Sequence, residues 1–161
     1  MTKIATDTDV FIIGAGPSGA VAAALLVNKG LRVTVMERQT FPRFSIGESL
    51  LPQCMEFIQQ AGMNPAVEAG EFQHKNGAAF SRNGCFVNFD FRQKFSAGPG
   101  TTFQVQRDRF DKILADEAER MGAQIHYQHV IESVENIEGD HMLIGYTDNN
   151  NEAQSMTARF V

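Results

Sequence analysis

Positive charge is in short supply in this chain: 14 Lys and Arg stand against 19 Asp and Glu, a formal net charge of -5. Such a balance offers little to neutralise a phosphate backbone, which argues against a nucleic-acid partner. Apolar runs are short as well. None approaches the ~20 residues needed to cross a bilayer, so no membrane span is expected. The opening MTKIATDTDV lacks the apolar core of a secretion signal, and the expected location is cytoplasmic. Cysteine is limited to Cys54 and Cys85, with no CxxC, which suggests neither a zinc site nor a dithiol redox couple. Both read as reduced, packed thiols. Of the few histidines, His126 and His129 flank Tyr127 in what reads as a strand, where a spacing of three sends side chains to opposite faces, so no metal site is expected.

What is present suits one soluble globular domain: 161 residues, 43% hydrophobic and 20% charged. The stretch Asp9 to Arg38, DVFIIGAGPSGAVAAALLVNKGLRVTVMER, organises the rest. Val10 to Ile13 has the apolar, β-branched character of a buried parallel strand. Gly14, Gly16 and Gly19 follow in G-x-G-x-x-G spacing, with Pro17 and Ser18 opening a helical pattern that runs to about Asn28. Lys29-Gly30 closes that helix, glycine standing where a left-handed cap is wanted. A second strand, Leu31 to Met36, ends on Glu37. Each feature has a task if a dinucleotide binds. Gly14 allows the tight turn, Gly16 lets backbone approach a pyrophosphate, and Gly19 lets helix and strand pack closely. The helix N-terminus attracts phosphate, while Glu37 accepts ribose hydroxyls and repels a 2′-phosphate.

Further along, Gln39 to Pro52 (QTFPRFSIGESLLP) reads as a loop, because Pro42, Gly47 and Pro52 forbid a long element. Phe41, Phe44, Ile46, Leu50 and Leu51 are too many apolar groups to leave in water. The loop is expected either to tuck onto the core or to strap a bound ligand, with Arg43, Glu48 and Ser49 as polar contacts. Helical spacing continues from Gln53 to Gly62 and from Pro65 to Ala69. Glu71 to Phe91 then reads as a β-hairpin around Arg82-Asn83-Gly84, with Lys75 at the start of its first strand. SAGPGTT (Ser96 to Thr102) is a flexible turn before a short strand, Phe103 to Gln106. A helix from Arg107 to Met121 stops at Gly122, with Asp111, Asp116, Glu117 and Glu119 expected on its outer side. Arg107 opposes the helix macrodipole there, which hints at a ligand anion or a carboxylate nearby. Gln124 to Tyr127 reads as a parallel strand. Val130 to Ile137 and His141 to Thr147 pair across Glu138-Gly139-Asp140, and Ala153 to Val161 adds a third strand of a meander.

These residues resemble the N-terminal part of FAD-dependent oxidoreductases of the group that holds geranylgeranyl reductases, aromatic-ring hydroxylases and flavin-dependent (tryptophan) halogenases. The carriers are Gly14-x-Gly16-x-x-Gly19 ending on Glu37-Arg38, the strap FPRFSIGESLLP, KNGAAF from Lys75 to Phe80, and Val105-x-Arg107-x-x-Phe110-Asp111-x-x-Leu114. The resemblance implies an α/β fold: a Rossmann-like, glutathione reductase-like βαβ sheet with an inserted β-hairpin and a β-meander. It implies FAD as cofactor, with Gly14, Gly16, Pro17, Ser18, Gly19, Glu37 and Arg38 around its ADP half. It places Arg43, Glu48 and Ser49 near the flavin side and Arg107 near the pyrophosphate. Residues 1–161 would be the N-terminal part of an FAD-binding domain, with 41–102 beginning the substrate-facing region and a C-terminal remainder of the same protein still to come. NAD(P)H or a partner reductase would supply electrons, and a small molecule would be the substrate. The expected function is an FAD-binding oxidoreductase, reductase- or monooxygenase-like. A halogenase is the alternative, in which Lys75 would be catalytic; the tryptophan-containing halogenase signature lies beyond Val161 in that family. A non-catalytic nucleotide-binding fragment and a small NAD-binding reductase also stay open.

Overall fold

A computed structural model describes residues 6–139 and 141–161. The first five residues, and Asp140 of the expected hairpin turn, lie outside the described residues. The elements run β1 (Thr8–Ile13), α1 (Pro17–Val27), β2 (Val33–Glu37), α2 (Pro52–Ala61), α3 (Asn64–Ala69), β3 (Gln73–Lys75), β4 (Gly77–Arg82), β5 (Cys85–Asp90), β6 (Thr102–Gln104), α4 (Arg107–Met121), β7 (Gln124–Tyr127), β8 (Val130–Ile137), β9 (His141–Thr147) and β10 (Ala153–Phe160).

Six strands form the main sheet in the order β7-β2-β1-β10-β9-β8. β7, β2, β1 and β10 are mutually parallel, and β10, β9 and β8 make an antiparallel meander. Strand alternation decides what each face buries. Val10, Ile12, Val33 and Val35 point to the helical side, where they meet Ala20, Ala23 and Ala24 of α1 and Phe110, Leu114, Ala115 and Ala118 of α4. The small residues of α1 let it lie close to β1, β2 and α4. Phe11 and Met36 belong to a second buried cluster with Ile144 and Ala158 of the meander. A hydrogen bond from the His129 N–H to the Glu37 carbonyl (3.1 Å) ties the start of the meander to the end of β2. Burying side chains such as Phe11, Phe110 and Leu114 stabilises the fold by about 1.5–3 kcal/mol each.

Two small sheets stand beside this body: β3 with β6, and the hairpin β4 with β5. Several expectations from the sequence pattern are corrected by the fold. Lys75 belongs to β3, paired with Thr102 of β6, and not to the hairpin. Cys85, expected to be packed, is exposed, whereas Cys54 is half-buried. In the strap, Phe44 (89%), Ile46 (83%) and Leu51 (63%) stay exposed, so only Phe41 and Leu50 join the core. The hairpin's Phe80, Phe86, Val87 and Phe89 are exposed as well. Finally, His126 and His129 do not diverge. Gln128 takes a left-handed φ of 61, which ends strand alternation, and the two rings lie 5.4 Å apart.

Candidate functional site

The site lies at the carboxyl ends of β1 and β2, where the chain leaves the sheet for α1 and for the strap. The three glycines meet different constraints. Gly14 turns off β1 with φ +95, a conformation that side chains disfavour. At Gly19 a Cβ would sit 2.0 Å from the Gly14 carbonyl oxygen, so α1 and the turn pack too closely for any other residue. Gly16 caps α1 with an ordinary φ of -68. Its missing Cβ matters for space: an added one would lie 3.5 Å from Arg43 Nη2 and narrow the gap above the helix start. Pro17 opens α1, and no acidic side chain occupies its first turn, which leaves the N–H groups and positive end of the helix for an outside anion.

Glu37 closes β2 on the helical face because it shares the parity of Val33 and Val35. It is buried at 5% exposure. The Ala15 N–H donates to its Oε2 (3.0 Å), and the Gln39 N–H donates to its Oε1 (3.0 Å). Arg43 reaches over from the strap with Nη2 3.6 Å from Glu37 Oε2 and 3.4 Å from Asp111 Oδ2. Its guanidinium lies 5.1 Å from the centre of the Phe41 ring, and Phe41 packs edge-on against Tyr127 at 5.8 Å. Burial, reinforced by the charges of Glu119, Asp116 and Glu37, pushes the Tyr127 hydroxyl up to about 12. The buried Arg43 Nε finds no hydrogen-bond partner among the described residues.

Asp111 corrects the expectation of an outward-facing acid. It is fully buried and receives Arg107 through two hydrogen bonds, Nε to Oδ1 at 2.6 Å and Nη2 to Oδ2 at 3.0 Å. The carboxylate that Arg107 called for is therefore four residues along its own helix. An i,i+4 acid–base pair was the available signal in the sequence. Arg43, Glu48 and Arg107 line one recess of about 380 Å³ together with Pro42, Phe44, Ser45, Gln106 and Asp108. Arg38 is exposed and borders a second opening with Arg43 and Gln128.

The strap is stitched onto β6. Val105 N–H donates to the Glu48 carbonyl (2.8 Å), and Leu50 N–H donates to the Phe103 carbonyl (3.2 Å). Lys75 crosses from β3 and donates to Ser49 Oγ (2.7 Å) and the Leu50 carbonyl (2.8 Å), with its ammonium 5.1 Å from the Phe91 ring centre. The structure thus joins Gly14 to Gly19, Glu37 and Arg43 in one place, and Lys75 with Ser49 in another on the same strap. Among the described residues, no group of three or more metal-ligating side chains occurs and no helix is long and apolar enough to cross a membrane.

A tryptophan 2-halogenase from Chondromyces crocatus is 37% identical over 123 residues, covering 76% of this chain and 23% of the halogenase. A flavoprotein/dehydrogenase from Cytophaga hutchinsonii superposes with a TM-score of 0.87 at 46% identity, covering 94% of this chain and 38% of that one. The myxobacterial chondrochloren halogenase, an FAD-dependent enzyme, superposes with a TM-score of 0.81 at 29% identity over 94% of this chain and 35% of that one. The chain therefore spans well under half the length of these relatives. The sequence profile of the FAD binding domain matches residues 7–161, and the chain belongs to that family.

Proposed function

We propose that the chain holds the ADP half of FAD as the N-terminal portion of a longer FAD-dependent oxidoreductase acting on a small molecule. The observation that supports this best is the pairing of Glu37 with Arg43 above the glycine turn. A buried carboxylate faces the turn, where ribose hydroxyls can donate to it, and next to it a buried arginine Nε–H has nothing to donate to among the described residues. A phosphate oxygen is an acceptor of the right charge for that N–H. Gly16 leaves room between helix and arginine, and the first turn of α1, with Pro17, Ser18 and Gly19, faces the same space. Arg38 borders its outer opening, and Glu48 and Ser49 hold the strap toward the flavin end.

When bound, FAD carries the electrons, which NAD(P)H or a partner reductase would deliver. The protein's part is to hold the cofactor, to exclude water under the strap and to present a substrate-facing region that begins within residues 41–102. Lys75 supports a second reading, a halogenase: its ammonium is fixed against the strap by Ser49 and Leu50, and several relatives are named as flavin-dependent halogenases. In the longer protein, Lys75→Ala is expected to abolish halide incorporation while flavin reduction continues. A complete wild-type enzyme that never incorporates halide removes that branch. The cofactor itself is tested on the purified chain. Quenching of flavin fluorescence on titration with FAD supports the assignment, and a chain that cannot be reconstituted ends it.

A further inference from the structure

A further recess, of about 430 Å³, opens between α2–α3 and the β3–β6 pair, and shares no lining residue with the openings beside Arg43. Its volume falls in the range of small-molecule pockets, roughly 300–1,000 Å³. Phe72 and Phe103, 7% and 8% exposed, give it an apolar lining, and the His74 ring lies 4.9 Å from that of Phe103. Glu68 and Glu71 stand exposed at its rim. Two kinds of group in this lining lack partners. Thr102 is 1% exposed, and its hydroxyl finds no hydrogen-bond partner among the described residues. The Cys54 thiol beside it donates to the Leu51 carbonyl instead (2.9 Å). A buried hydroxyl left unpaired costs about 1–3 kcal/mol.

The negative charge at the rim is unmatched as well. Among the described residues no salt bridge reaches Glu68 or Glu71. Glu68 takes one hydrogen bond, from Asn64 Nδ2 at 2.7 Å. Arg109, whose guanidinium lies 5.4 Å from the centre of the Phe72 ring, donates to the Gly70 carbonyl (3.0 Å). Glu71 holds its carboxylate on a backbone with φ 51, a left-handed conformation that glycine adopts without strain. No three metal-ligating side chains gather among the described residues, so these carboxylates do not form a metal cage. We propose that the recess binds a small aliphatic amine whose far end carries a hydroxyl. Glu68 and Glu71 take the ammonium, a charge-assisted contact. The chain lies against Phe72 and Phe103, and the ligand's hydroxyl pairs with that of Thr102. This site is independent of the FAD assignment.

Calorimetric titration of the purified chain with three probes of equal length tests each contact. Aminohexanol carries both polar ends, hexanediol lacks the charge, and hexylamine lacks the hydroxyl. The wild type is expected to bind aminohexanol about tenfold or more tighter than hexanediol, and severalfold tighter than hexylamine. The double variant Glu68→Gln, Glu71→Gln is expected to lose the first preference and keep the second. Thr102→Val is expected to do the reverse, binding aminohexanol and hexylamine alike. Glu71→Gly guards against misfolding as the cause: it relieves the left-handed backbone, so aminohexanol binding is expected to weaken while the melting temperature does not fall. Saturation with FAD is expected to leave aminohexanol affinity unchanged. The proposal is overturned if the wild type binds no aminohexanol or does not distinguish it from hexanediol. Preference for the amine that survives in the double glutamine variant also overturns it, as does displacement of aminohexanol by FAD. A chain that binds aminohexanol but no FAD removes the cofactor assignment and leaves the amine site standing.

Discussion

The substitution Gly16→Val adds bulk at a position whose backbone, with φ -68, any residue can adopt. Its effect is therefore expected on the ligand and not on the fold: FAD binding is lost in a fluorescence titration while the melting temperature holds. Gly19→Ala is expected to do the opposite. Its Cβ would meet the Gly14 carbonyl oxygen at 2.0 Å, and overpacking of this kind costs about 1–3 kcal/mol, measurable by denaturant unfolding. Glu37→Gln keeps one acceptor oxygen but loses the charge, and FAD is expected to bind more weakly by about 1–3 kcal/mol in the same titration. Tyr127 offers a test of burial. Its hydroxyl, held near 12 against an ordinary 10.0, stays neutral in the fold while the unfolded chain ionises. The unfolded state therefore binds fewer protons between those values, and stability falls as pH rises through that window. Absorbance of tyrosinate in the native chain is expected to lag that of the denatured chain, and Tyr127→Phe removes most of the lag. At this scale the sequence was informative where a residue's constraint is local, as at Gly14 and Glu37. Asp111 escaped because polarity was read as exposure, although its partner Arg107 lies one helical turn away.

Among the elements, helix α4 and the hairpin β4–β5 show how far an apolar pattern can be trusted. Phe110 is 1% exposed and packs edge-on against Phe72 at 5.8 Å, as the period of α4 leads one to expect. Phe89, equally apolar, is 57% exposed, touching Phe80 across the hairpin at 5.9 Å. Phe110→Ala is expected to cost about 3–5 kcal/mol, and Phe89→Ala no more than ~0.5 kcal/mol, in equilibrium unfolding of the chain. The sequence correctly foretold a hairpin around Arg82-Asn83-Gly84. It could not say that Phe80, Phe86, Val87 and Phe89 stay uncovered by the other described residues. The sequence placed the end of β7 at Tyr127, but Gln128 is not a residue that advertises a left-handed turn, and that turn is what brings His126 and His129 together. The strap's bond to β6 and the Lys75 contact with Ser49 were illegible for a related reason, since both join segments about 25 to 55 residues apart without a periodic signature.

At the scale of the whole molecule, an α/β sheet was readable from the alternation of strand and helix, and the meander from its turns, whereas the order β7-β2-β1-β10, with β10 parallel to β1, was not. Ligand binding and global stability are linked at this scale. Free FAD at a hundred times its dissociation constant is expected to stabilise the chain by ~2.7 kcal/mol, seen as a higher unfolding midpoint, with no such gain in Gly16→Val. The register of β10 sets Thr8 beside Ala158 and Val10 beside Phe160, running the same way as β1. Polypeptide continuing past Val161 is thereby delivered alongside Ile13, which is 55% exposed, and on toward the glycine turn. A bulky group joined there without a spacer would sit beside the proposed cofactor site and is expected to weaken FAD binding.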